Sequence, residues 1–152
     1  MPYQNVRDNV AASLPIGRYN QFLEMLLSGE SLESLLHELA LLIQEKQPDC
    51  QASILLLSDD GKRLIHGAAP SLPDYYTQAV HNLEIGEGVG ACGSAAATGH
   101  LTIIDDIQRH PNWQNFPTIR ALAAQAGLRA CWSQPILSST GTVLGAFAMY
   151  YS

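Results

Sequence analysis

Positive charge is scarce: eight lysines and arginines stand against 14 acidic residues, a net charge of −6, and nowhere do the basic residues cluster. Such a chain offers no field for nucleic acid or an anionic membrane surface, so a polyanionic partner is excluded. Cysteine is scarce too. Cys50, Cys92 and Cys131 are odd in number and widely spaced, without any Cys-x-x-Cys pair, so neither a disulfide framework nor a zinc site is indicated and a reducing cytoplasm is expected. No apolar run is long enough to span a bilayer, and the lead MPYQNVRDNVAASLP has neither the basic nor the apolar region of a secretion signal. Repeats and low-complexity linkers are also missing. What remains, 152 residues with 47% hydrophobic content, predicts one soluble domain with a substantial core.

The most informative stretch is Leu128 to Tyr151, LRACWSQPILSSTGTVLGAFAMYY, two apolar runs of strand length joined by Ser138-Ser139-Thr140-Gly141. It predicts a β-hairpin at the centre of a sheet. If Leu137 pairs with Thr142, one face carries Trp132 opposite Phe147, Ala130 opposite Met149 and Ile136 opposite Val143. The other face then carries Cys131 opposite Ala148, Ser133 opposite Ala146 and Pro135 opposite Leu144. Both faces are mostly apolar, so each needs a cover.

The covers follow from the rest of the chain. Residues 1–15 read as a frayed lead. Ile16–Leu27 has helical spacing and stops at Ser28-Gly29; Ser31 caps a second helix with a stripe of Leu32, Leu35, Leu36, Leu39 and Ile43, ended by Pro48. Leu41 and Leu42 lie off that stripe, which suits a helix that covers the small-residue face of the sheet on one side and meets a second subunit on the other, or else a plain core helix of a monomer. Cys50–Leu57 and Arg63–Ala69 read as strands around the turn Asp59-Asp60-Gly61. After them, Ser71 and Pro73 start a short helix with Tyr75, Tyr76, Ala79 and Val80 apolar, expected on the aromatic-face side.

Gly88, Gly90 and Gly93 are spaced as G-x-G-x-x-G, but a polar segment precedes them and no Gly-Lys-Ser/Thr follows. The favoured reading is a structural loop leading into a short Ala-rich helix, Cys92–Thr98, rather than a phosphate loop. A strand at Leu101–Ile104 and a helix at Pro117–Ala126, closed by Gly127, complete the order. The pattern is α+β around an antiparallel sheet.

At this point the residues resemble the GAF domain family. The resemblance is carried by Pro70-Ser71-Leu72-Pro73-Asp74-Tyr75-Tyr76, by Gly88 to Ala96, by Asp105-Asp106-Ile107 with Pro111 and Trp113, and by Gly127 to Ser139 with Gly145. It runs from about Ser31 to Tyr151, and is closest in kind to modules of bacterial sensory proteins with PAS, diguanylate cyclase, cyclic-di-GMP phosphodiesterase or histidine kinase domains. It implies a GAF/PAS-like six-stranded antiparallel sheet. N-terminal helices, often used for dimerisation, cover one face; loops and short helices enclose a small-molecule pocket on the other. Residues 1–30 are then an N-terminal segment with a short helix, and 31–152 the sensor domain.

The implied function is a non-catalytic, cytoplasmic sensory or regulatory module, a homodimer through its N-terminal helices, that passes ligand binding to an output domain. Tyr76, Asp106, Trp113, Arg129 and Trp132 are the candidate ligand-binding residues, with ordinary core and turn-capping roles as their alternatives. Two other readings stand beside it: a structural dimerisation module without ligand, and a thiol reductase of free methionine sulfoxide using Cys92 and Cys131. Cys92-Gly93-Ser94-Ala95-Ala96 is similar to a motif of those reductases, but their His-Ile-Ala-Cys-Asp stretch is absent. Cys92 at a helix start and Arg129 two residues from Cys131 are the features that would lower a thiol pKa. No cofactor follows. The cyclic-nucleotide signature and the bilin-attaching Cys-His pair are missing, and His37, His66, His81, His100 and His110 lack a haem-ligand spacing.

Overall fold

In the computed structural model, which describes residues 16–152, two helices lead, α1 (Ile16–Leu27) and α2 (Leu32–Lys46). The frayed lead expected over residues 1–15 lies outside the described residues. Strands β1 (Cys50–Leu57) and β2 (Arg63–Ala68) follow, then α3 (Asp74–Val80), β3 (Leu83–Glu84), α4 (Cys92–Thr98) and β4 (Thr102–Ile104). The chain ends through α5 (Pro111–Gln114), α6 (Pro117–Gln125), β5 (Ala130–Leu137) and β6 (Val143–Tyr151). The six strands form one antiparallel sheet in the order β3-β2-β1-β6-β5-β4. The α+β architecture expected from the sequence is thus the one present. β3 and α5 are additions to that reading, both too short to give a periodic signal.

Helix ends follow local chemistry. Ser31 accepts a hydrogen bond from the Ser34 amide at 3.2 Å and caps α2. α1 and α6 both end in a left-handed glycine, Gly29 (φ +71) and Gly127 (φ +75). In each the glycine amide and the next one fold back on carbonyls of the last turn: Gly29 on Leu26 and Glu30 on Met25, Gly127 on Ala124 and Leu128 on Ala123. Ser71 does not cap α3 as expected; Pro73 holds that position with no side-chain hydrogen bond. Ser71 Oγ instead accepts from Gln44 Nε2 at 2.6 Å, tying the loop to α2.

The central hairpin forms, with its register shifted by two residues. Leu137 pairs with Val143, Ile136 with Gly145, Trp132 with Met149, Cys131 with Tyr150 and Ser133 with Ala148. Two single-residue offsets cause this. The hairpin closes on Ser138 and Thr142, whose N–H and carbonyl meet at 2.8 Å across a three-residue loop with Gly141 at φ +85. A bulge then leaves Leu144 without an opposite residue. Because the offsets sum to an even number, the alternation of faces is the expected one even though every partner changed.

The two covers are exchanged relative to expectation. Leu36, Ala40 and Ile43 of α2 pack against Ala52, Ile54, Ala68, Ile136 and Phe147, on the face that carries the aromatics. Leu32 and Leu39 of the expected stripe are 58% and 37% exposed, so the inward line of α2 is rotated toward Ala40. The small-residue face, Cys131, Ala146 and Ala148, lies under α3 and α4. α4 explains the choice. Its own residues are Cys, Gly, Ser and Ala, so small meets small there and the helix comes close to the sheet. Beside it, the short side chains leave room for Tyr76, Trp113 and Tyr150, all buried. Among the described residues no helix is long and apolar enough to cross a membrane.

Candidate functional site

Between the sheet and its cover of short helices the side chains leave a cavity of about 30 Å³. Leu55, Leu64 and Tyr150 form its floor, and Tyr76 and Val80 of α3 one wall. Trp113 of α5, with Phe116 and Ile119 at the start of α6, closes the opposite side, and the glycine loop from Val89 to Gly93 roofs it. Most of the lining side chains are hydrocarbon.

The roof is built by the glycines. Gly88 and Gly90 have φ of +86 and +56, a region closed to most side chains. A Cβ on Gly93 would lie 2.8 Å from the Val89 side chain. The loop bonds to itself, Ser94 N–H to the Val89 carbonyl (3.1 Å) and Gly86 N–H to the Gly93 carbonyl (3.3 Å). Asn112 then fastens it to α5. Its carbonyl accepts from Gly90 N–H at 3.0 Å and its Nδ2 donates to the Gly90 carbonyl at 3.0 Å. With these amides spent internally, the segment behaves as the structural loop expected from its sequence context.

Four of the lining side chains carry polar atoms: Tyr76, Cys92, Trp113 and Tyr150. Tyr76 OH donates to Tyr150 OH at 3.1 Å, and the two rings meet edge to face with centroids 5.6 Å apart. Burial holds both phenols well above their ordinary pKa, so both stay neutral. Cys92 Sγ accepts from Ser133 Oγ at 3.3 Å. Trp113 is 4% exposed, and its Nε1 has no hydrogen-bond partner among the described residues.

The thiols are not activated. Burial pushes Cys92 up to about 11, against the smaller opposing pull of the Ser133 hydroxyl, and pushes Cys131 well above its ordinary value. The position of Cys92 at the start of α4 does not offset that desolvation. Arg129 lies one residue ahead of β5 with its side chain exposed; its backbone joins Tyr151 and Ile107 (both 2.8 Å). A nucleophilic thiol needs the opposite environment. Among the described residues no group of three His, Cys, Asp or Glu side chains is placed to hold a metal ion.

Of the five residues singled out from the sequence, Tyr76 and Trp113 line the cavity. Trp132 points to the opposite face of the sheet, edge-on to Phe147 at 5.8 Å, and donates Nε1–H to Tyr151 OH at 3.3 Å. Asp106 caps a turn, its Oδ1 accepting from the Gln108 amide at 3.0 Å with Arg109 Nε 3.7 Å from Oδ2. With exposed Arg129, these three stand outside the cavity wall. Tyr150, Phe116 and Ile119 were missed. Tyr150 had a usable signal, since strand alternation puts it on the face of Cys131, Ala146 and Ala148; Phe116 and Ile119 had none.

Comparisons agree with this geometry. The family model described as "GAF domain" matches residues 29–152. The methyl sulfide methyltransferase-associated sensor of Methanosarcina acetivorans is 37% identical over 131 residues, 86% of this chain, which spans only 13% of that sensor's length. Among solved structures, the GAF domain of a Coxiella burnetii phosphoenolpyruvate-protein phosphotransferase superposes with a TM-score of 0.62 at 18% identity, over 90% of this chain and 76% of that one. The free methionine-R-sulfoxide reductase of Neisseria meningitidis, solved with its substrate, superposes at 0.57 and 20% identity, over 80% and 63%. At those identities the structural likeness speaks to the fold, and with the family model and the sensor relative it leads to one assignment: the chain belongs to the GAF domain family.

Proposed function

We propose that this chain is a non-catalytic sensory or regulatory module in which occupancy of the cavity by a small molecule is passed to an output domain through the terminal helices. The observation that carries the reading is the Tyr76–Tyr150 hydroxyl pair. It joins the α3 wall of the cavity to the penultimate residue of β6, a strand inside the sheet, flanked by β1 and β5. An occupant that displaces α3 therefore disturbs a buried bond to the last strand. A ligand shifts such a balance only by its difference in affinity for the two arrangements. The 37% identity to a sensor supports the sensory role, and the raised thiols support a domain without catalysis of its own.

In this reading Tyr76 and Trp113 contact the ligand, the sensor unit begins after residue 30, and the protein works in the cytoplasm. The output domain is of the diguanylate cyclase, cyclic-di-GMP phosphodiesterase or histidine kinase kind. Homodimerisation uses the N-terminal helices, where Leu26 (48%), Leu27 (89%) and Leu32 (58%) expose a leucine-rich surface. Thermal-shift screening against metabolites and nucleotides tests the ligand, and sedimentation of wild type against a Leu27→Glu/Leu32→Glu variant tests the dimer. A melting midpoint that moves for no compound removes the ligand from the reading. A wild type that sediments as a monomer removes the dimer.

A further inference from the structure

We infer that the roof of the cavity is latched by the neutral imidazole of His110 and released when that ring takes up a proton, so that acid governs access to the cavity. This rests on the sensory reading and adds to it a regulation of the same site. As it stands, the cavity of about 30 Å³ has room for only about two or three water molecules. A metabolite therefore enters only if part of the enclosure moves, and the roof is fastened to one short element.

The latch is a chain of contacts. His110 precedes α5, and its Nδ1 accepts the Asn112 amide at 3.1 Å. Asn112 in turn holds Gly90 twice, carbonyl to N–H and Nδ2 to carbonyl, each at 3.0 Å. α5 is a single turn of four residues, and it also sets Trp113 against the cavity. An imidazole nitrogen accepts a hydrogen bond only while it is unprotonated. Protonation makes Nδ1 a donor facing a donor, and the turn loses its side-chain cap. The backbone bond from Trp113 N–H to the His110 carbonyl, 3.1 Å, is untouched, so the turn loosens without unfolding. The released arrangement takes up the proton more readily than the latched one and gains population as pH falls. The charged groups on the surrounding elements are Asp105, Asp106 and Arg109 of the preceding turn, Glu87 of the roof loop, Arg120 of α6 and Arg129 ahead of β5. Of these, Asp106 is engaged by Gln108 and Arg109, and Arg120 by Gln114.

His81 supplies a comparison within the same molecule. Its Nδ1 accepts the His66 amide at 3.0 Å. There the chain after α3 is held by two further bonds that need no imidazole: Asn82 N–H to the Leu64 carbonyl (2.7 Å) and Arg63 Nη1 to the Asn82 carbonyl (3.0 Å). Protonating His81 therefore leaves that wall in place.

The experiment follows the ring nitrogens of His110 and the amide protection of Gly90, corrected for intrinsic exchange, in the 152-residue chain from pH 8 to pH 5, the span in which histidine ordinarily changes charge. At pH 8 the His110 ring is expected as the Nε2–H tautomer, with Nδ1 bare. Gly90 protection should fall about five- to tenfold as His110 becomes protonated, the worth of one lost N-cap. His110→Asn, whose Oδ1 caps without titrating, should hold the pH 8 protection down to pH 5. His110→Ala should show the lowered protection already at pH 8, and His81→Asn should leave the transition where it is. Gly90 protection that stays constant while the His110 ring protonates overturns the latch, as does a fall in His110→Asn equal to that in wild type. Either result leaves the sensory reading standing, because the metabolite screen that tests that reading is run at pH 8 on the latched protein and its outcome is read separately.

Discussion

Removing the Tyr150 hydroxyl isolates the bond that carries the functional argument. Tyr150→Phe keeps the ring and its edge-to-face contact with Tyr76 but leaves the Tyr76 hydroxyl, wholly buried, without its acceptor at 3.1 Å. An orphaned buried donor costs about 1–3 kcal/mol, whereas replacing both partners with apolar groups of the same shape is nearly neutral. Expected losses are therefore about 1–2 kcal/mol for Tyr150→Phe and for Tyr76→Phe. The double variant should lose no more than either single one, a coupling of about 1 kcal/mol or more. At this chain length each kcal/mol moves the melting midpoint by about 2–4 °C, so the single variants should fall by about 2–8 °C. Urea unfolding monitored by circular dichroism gives all four corners of the cycle. Single variants within about 0.3 kcal/mol of wild type, or losses that simply add, would refute the view that these hydroxyls are a buried, mutually dependent pair.

Other expectations follow from the same faces of the sheet. The buried thiols make stability depend on alkaline pH. An unfolded cysteine ionises near pH 9 while folded Cys92 is held to about 11, so above pH 9 the unfolded state releases its proton first. The contribution is complete below pH 9 and is lost as pH rises toward 11, at about 1.4 kcal/mol per pH unit for each such thiol. Unfolding free energies from pH 8 to 11 should show this slope, and Cys92→Ala should reduce it. Thiol-specific reagents should modify Cys92 and Cys131 only as fast as the protein opens; labelling faster than unfolding would contradict their burial. Gly145→Ala should cost more than about 2 kcal/mol in urea unfolding. Its Cβ would sit 2.2 Å from the Leu55 carbonyl oxygen and 3.0 Å from Leu56 Cα, both backbone of β1. Asn112→Ala should raise amide exchange at Gly90 by loosening the roof, and unchanged protection there would mean the loop holds itself.

The sheet was legible because strand signals are local. Apolar runs of strand length at Cys50–Leu57 and Leu128–Tyr151, with glycines at Gly61 and Gly141, state the hairpins without reference to anything distant. Register was not legible to the residue, because it depends on two single-residue offsets, the three-residue loop closed by Ser138 and Thr142 and the bulge at Leu144, which an apolar strand pattern does not encode. Which cover goes on which face was lost for a related reason. Both α2 and α4 are apolar enough to lie on a sheet, and only the match of side-chain sizes across the contact separates them: Leu36 and Ile43 with Ile54 and Phe147, Ala96 with Ala146 and Ala148.

The site shows the same division at finer scale. Aromatic residues were a sound starting set, but a strand aims neighbouring side chains at opposite faces, so Trp132 and Cys131 cannot share a pocket whatever their chemistry. Applied to β6, that rule picks Tyr150 over Tyr151, and Tyr150 is where α3 meets the sheet through Tyr76. The acidic candidate fails on a different ground. Asp106 sits just past β4, where its carboxylate accepts the Gln108 amide of its own turn, and a side chain spent on a local turn is no longer available to a cavity. Trp113 belongs to the cavity because His110 and Asn112 fix the single turn of α5: His110 Nδ1 accepts the Asn112 amide at 3.1 Å, and Asn112 holds the roof. A short polar helix thus orients a buried indole against the wall of the cavity.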